Sequence, residues 1–120
     1  LEHRQNLAKL YKDELSNLVI FQNIPDFVTL HPFMLFGILV KPKIRNKLNN
    51  FLNQKNIETR ICWPPVHKQK YHSTIFPKTM LPGSEEIFSK IINLPMGNGL
   101  SKNNVLSVCN ALKNGLKQIS

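Results

Sequence analysis

Residues 33–62 read FMLFGILVKPKIRNKLNNFLNQKNIETRIC, and their reading decides the fold. Residues 33–41 are the most hydrophobic segment and predict a central strand. Gly37 inside it marks a bulge or a close backbone approach. Pro42 suits the first turn of a helix, where a missing N–H costs little. Ile44, Leu48, Phe51 and Leu52 follow at offsets 0, 4, 7 and 8, so residues 43–55 predict an amphipathic helix. Asn56 tolerates the left-handed conformation that ends many helices. Residues 57–62 predict a second strand, with Ile57, Thr59 and Ile61 on one face and Glu58, Arg60 and Cys62 on the other. It stops at Trp63-Pro64-Pro65, because proline donates no ladder hydrogen bond and restricts the residue before it.

A strand, helix, strand order returns the chain with the two strands parallel. Residues 18–22 (LVIFQ) predict a further short strand. Placed between the other two, it makes every neighbouring pair antiparallel. That split arrangement is the expected one, with direct parallel pairing as the alternative. The fold class is therefore α/β of the α+β type: a small, mainly antiparallel three-stranded sheet with helices packed on one face.

The flanks supply those helices. Residues 3–17 carry Leu7, Leu10, Tyr11 and Leu15 on one stripe. Residues 23–32 hold two prolines and an Asp and read as a loop. Residues 76–83 are irregular; Ser84 is the expected N-cap of a helix with Glu85 and Glu86 in its first turn and Ile87, Phe88 and Ile91 on its apolar side. Residues 93–99 break it. Ser101 caps a last helix that buries Val105, Val108, Cys109, Leu112 and Leu116.

The 120 residues suit one domain, and 42% hydrophobic content is in the globular range. No apolar run approaches the ~20 residues of a membrane span, and no basic-then-apolar start resembles a signal peptide. The chain opens at Leu1 inside a helical pattern, which reads as a fragment, a processed product or a trimmed chain. Cys62 and Cys109 make no disulfide framework; free thiols predict a cytoplasmic location. The net charge is +9, from 16 Lys+Arg against 7 Asp+Glu. The densest basic group, Lys41, Lys43, Arg45 and Lys47, fans around a helix start and forms no single stripe. Nucleic acid is thus disfavoured as a partner, and a basic module for nucleic acid or another polyanion stands as the alternative function.

Chemistry concentrates between residues 63 and 72. Cys62, His67 and His72 are separated by four residues each time, which matches no zinc pattern. No nucleophile elbow and no phosphate loop is present. Trp63, His67, Gln69 and Tyr71 offer an aromatic surface, an imidazole, an amide and a phenol on an exposed loop. Such groups suit a polar, ring-shaped ligand such as a sugar or a nucleotide; covering a sheet edge is the structural alternative.

The train Ile57-Glu-Thr-Arg60, Trp63-Pro-Pro-Val-His67-Lys-Gln69-Lys-Tyr71, Leu94-Pro-Met96 and Leu100-Ser101 before a closing helix resembles the C-terminal segment of the DegT/DnrJ-type sugar aminotransferases. The upstream helix with Arg4, Ala8 and Tyr11 fits as well, so the resemblance covers nearly the whole chain. It implies the small domain of a fold-type I enzyme, residues 1–120, with the large N-terminal domain missing. It further implies pyridoxal 5′-phosphate (PLP) as cofactor of the full-length enzyme, glutamate as amino donor, a nucleotide-linked keto-sugar as acceptor and a homodimer. His67 becomes a substrate-side contact, supported by Trp63, Gln69 and Tyr71. The family's catalytic lysine, the carboxylate for the ring nitrogen and the phosphate-binding residues belong to the large domain. These 120 residues alone are therefore expected to hold no cofactor and to catalyse no transamination.

Overall fold

The computed structural model describes residues 1–61 and 63–119. In chain order the elements are helix α1 (Glu2–Leu15), strands β1 (Ile20–Phe21) and β2 (Phe36–Leu39), helices α2 (Pro42–Gln54), α3 (Lys70–Ile75) and α4 (Pro82–Lys90), strand β3 (Ile91–Leu94) and helix α5 (Lys102–Ile119). A 3₁₀ turn, Val66–Lys68, precedes α3.

The sheet is three-stranded and antiparallel throughout, in the order β1-β2-β3. Phe36 pairs with Leu94 and Ile38 with Ile92, which puts these four on one face with Phe21. Leu7, Tyr11, Leu15, Leu48, Leu52, Val105, Cys109 and Leu112 of α1, α2 and α5 bury that face. Gly37 and Asn93 fall on the opposite face.

Two expectations about the sheet are corrected. The central strand is β2 as expected, but β1 lies at an edge and not between the other two. The third strand is Ile91–Leu94, and residues 57–61 join the sheet only through a bridge from Arg60 to Asn93. Arg60 N–H donates to the Asn93 carbonyl at 3.2 Å and Asn93 N–H to that of Arg60 at 2.8 Å. Cys62, the expected end of that strand, lies outside the described residues. The alternation itself is present, since Thr59 is buried while Glu58 and Arg60 are exposed. The ladder cannot extend toward Glu58, because the residue opposite it is Pro95, which has no N–H to donate, while Thr59 turns its N–H to Asn53 Oδ1 at 3.2 Å and its hydroxyl to Asn49 Oδ1 at 2.6 Å. The edge of the segment turned away from β3 is thereby held by α2.

Local chemistry explains the helix ends. Pro42 is in the first turn of α2, and Asn56 takes the left-handed conformation at φ 62° after it. Ser101 and Asn104 cap α5 reciprocally: Asn104 N–H donates to Ser101 Oγ at 3.1 Å and Ser101 N–H to Asn104 Oδ1 at 2.9 Å. Ser84 is not the N-cap of α4. That helix starts at Pro82 with Leu81 before it, because proline fits the first turn better than serine is needed to cap it. Residues 66–75, expected as an open polar turn, form the 3₁₀ turn and α3. Arg45 leaves the expected basic group: it is buried and donates to the Phe88 and Ile91 carbonyls at 2.5 and 3.2 Å. Burial lowers its pKa, and its charge ties α2 to the end of α4.

Candidate functional site

Two grooves meet at Trp63. The first, about 630 Å³, runs between residues 58–64 and the end of β3; Arg60, Trp63, Asn93, Met96 and Met34 are among its walls. The second, about 470 Å³, lies between the 3₁₀ turn and α4, with Trp63, His67, Leu81, Ile87 and Phe88 around it. Trp63 is 75% exposed and lines both.

The first groove follows from three local choices. The left-handed turn at Asn56 sends the chain back along α2, and Thr59 locks it there. Period-two alternation then turns Glu58 and Arg60 outward as an ion pair, with Arg60 Nε at 3.1 Å from Glu58 Oε1. Both side chains are exposed, so the pair adds little stability and stays available to a ligand. Gly37 makes the third choice. A Cβ there would lie 3.1 Å from Ile91 Cδ1 and 3.3 Å from Asn93 Oδ1, so a side chain would crowd the Asn93 amide by a few tenths of an ångström and glycine leaves it room on this face. That amide donates to the Arg60 carbonyl at 3.2 Å. The floor is tied to the core by Tyr11, whose hydroxyl donates to the Pro95 carbonyl at 2.7 Å while its ring stacks on Phe36 at 4.9 Å. Burial pushes that phenol's pKa well up, so it remains a neutral donor.

The second groove has one unusual member. His67 is buried, not exposed on a loop as expected, and its Nε2 has no hydrogen-bond partner among the described residues. Glu85 Oε2 stands 3.6 Å from that nitrogen, and Lys68 Nζ is 2.9 Å from Glu85 Oε1. Lys68 holds the Glu85 carboxyl below the usual carboxylate range, with His67 adding to the effect. The physical reason for the burial is the 3₁₀ turn, which folds the imidazole against α4.

The four residues named from the sequence thus part company. Trp63 and His67 share the second groove. Gln69 lines neither groove and donates from Nε2 to the Pro64 carbonyl at 2.9 Å, closing the loop on itself. Tyr71 stands at the surface, 76% exposed, edge-on to His72 at 6.4 Å. Sequence reasoning did not single out Arg60 and Asn93, which line the first groove, as candidates. A lone amide inside the apolar run Ile91-Ile92-Asn93-Leu94 was the available signal.

An antiparallel three-stranded sheet backed by helices, closed by this looped segment, is the fold found in solved sugar aminotransferases. The putative sugar aminotransferase Spr1654 from Streptococcus pneumoniae, in its PMP form, matches with a TM-score of 0.82 at 16% identity, over 99% of this chain and 31% of that one. The chain belongs to the DegT/DnrJ/EryC1/StrS aminotransferase family, whose pattern it matches over residues 1–113. GDP-perosamine synthase of Vibrio cholerae is 28% identical over 95% of this chain and 32% of its own length. The dTDP-3-amino-3,6-dideoxy-alpha-D-galactopyranose transaminase of Aneurinibacillus thermoaerophilus is 30% identical over 92% and 30%. The chain therefore spans about a third of the relatives it matches.

Among the described residues, neither groove offers an amine to PLP. Its chemistry needs an amine for the aldehyde carbon and a partner for the ring nitrogen. Among the described residues, no lysine lines either groove. Lys68, Lys90 and Lys113 are instead paired with Glu85, Glu86 and Glu14.

Proposed function

We propose that this chain is the C-terminal small domain of a PLP-dependent aminotransferase that aminates a nucleotide-linked keto-sugar, with glutamate as donor, in a homodimer whose catalytic lysine lies in the large domain. The match to the family over residues 1–113 carries the reading. The groove chemistry supports it. Trp63 offers a π-face to a sugar or base, Asn93 an amide edge to hydroxyls, and Arg60 a guanidinium to a diphosphate. In this reading the domain binds and orients the acceptor and excludes water from one side. It supplies no group that forms or breaks a bond. His67 acts beside Trp63 as a substrate-side contact reached across the second groove, and Gln69 and Tyr71 shape the loop that carries both.

The test is reconstitution. The C-terminal third of a GDP-perosamine synthase is replaced by this chain, and amino transfer from glutamate to the nucleotide-linked keto-sugar is measured beside the isolated chain. The hybrid turns over, and the isolated chain neither turns over nor gives a site-specific absorbance band with PLP. A lysine-specific PLP band in the isolated chain contradicts the assignment.

A further inference from the structure

A third cleft, about 300 Å³, lies between α1 and residues 24–33, and shares no lining residue with either groove. Gln5, Lys9 and Lys12 of α1 face it, one to two turns apart, and His31 faces it from the loop. Phe33 organises two of these groups. Its backbone is left-handed, φ 46°, a conformation that a bulky residue adopts only when its surroundings hold it there. In that conformation its N–H donates to His31 Nδ1 at 3.1 Å and its ring lies 4.3 Å from the imidazole. The same ring holds Lys12 Nζ at 5.3 Å from its centroid.

The tautomer follows. Because Nδ1 accepts a backbone N–H, the neutral ring carries its hydrogen on Nε2, which is then a donor. Among the described residues, neither Lys9 nor Lys12 is paired with a carboxylate. The cleft thus collects two unneutralised ammonium groups, an imidazole N–H and an amide, and a strained residue keeps two of them in place. We infer that this cleft binds a phosphate group, free or carried on a small molecule, at a site separate from the sugar groove. Several donors arriving from two elements match the several oxygens of a phosphate better than the two of a carboxylate. The inference stands independently of the proposed function.

The experiment is a ¹H–¹⁵N NMR titration of the chain with inorganic phosphate, pyrophosphate and acetate, at low salt and at about 0.15 M salt. Saturable shifts are expected at Lys9, Lys12, Phe33 and the His31 ring, tighter for pyrophosphate than for phosphate and weakest for acetate. The double change Lys9→Gln, Lys12→Gln weakens binding by about tenfold or more, and Lys117→Gln, at an exposed lysine on α5, leaves it unchanged. Phe33→Gly accepts the left-handed backbone without strain but removes the ring beside His31 and Lys12, so it loses affinity. Equal affinity for acetate, shifts spread over all lysines, or equal loss in Lys117→Gln overturns the inference.

Discussion

Gly115 shows how one missing methyl sets a helix contact. A Cβ there would sit 2.7 Å from Leu48 Cδ1 and 2.8 Å from Phe51 Cδ1, where α5 crosses α2. Gly115→Ala is expected to destabilise the chain by about 1–3 kcal/mol despite alanine's better helix propensity, read as a lower Tm. Gly83 is the contrast, because nothing lies within 4 Å of a Cβ there and its φ is not positive. Gly83→Ala should raise stability by about 0.5–1 kcal/mol. Cys109 gives a pH signature. Burial, helped by Glu14, pushes its thiol up to about 11. A thiol raised on folding stabilises fully below its unfolded pKa, near 8.5, and that contribution is lost as pH rises through about 11. Denaturant midpoints should therefore fall between about pH 8.5 and pH 11, and less so in Cys109→Ala. Alkylation of the native thiol at neutral pH should be slow.

At the scale of elements, helices α1, α2, α4 and α5 were legible, the six-residue α3 was not, and the strands were less so. Leu48, Phe51 and Leu52 repeat with the helical period over three turns, and α2 runs within a residue of the expected span. Strand β3 was hidden because Ile91 and Ile92 continue the apolar side of α4 without a turn residue between them. Four residues are too few for alternation to stand out, and three of these four are buried. Residues 57–61 misled for the opposite reason: the alternation is real, but Pro95 ends the pairing after one bridge and Thr59 donates to Asn49 and Asn53 of α2 instead. The site was legible as a neighbourhood and not as a geometry. Trp63 faces a groove as its sequence context suggests, whereas the burial of His67 depends on the 3₁₀ turn, which folds it against α4 beside Glu85. That tether makes its own prediction. The Glu85 carboxyl is held low chiefly by Lys68, so its contribution is present above the usual carboxylate value near 4.3 and is lost as pH falls through its lowered pKa. Amide protection factors in residues 66–75, corrected for the intrinsic pH dependence of exchange, should fall on acidification before the core unfolds, and Glu85→Gln should bring that loss of protection to neutral pH.

For the whole molecule, the core faces the helices while chemistry gathers on the other side, around Trp63. Three large side chains of the segment that carries it, Trp63, Tyr71 and Phe76, are exposed. Among the described residues, no helix is long and apolar enough to cross a membrane, so these side chains do not belong to a spanning helix. The proposed small-domain role gives Trp63 and His67 one function, which is to hold the acceptor while the large domain supplies the cofactor. The most direct measurement is a kinetic split in the hybrid full-length enzyme carrying Trp63→Ala or His67→Ala. The account predicts that KM for the nucleotide-linked keto-sugar rises by about tenfold or more in each variant while PLP affinity stays unchanged. Weakened PLP binding with an unchanged KM for the sugar contradicts it.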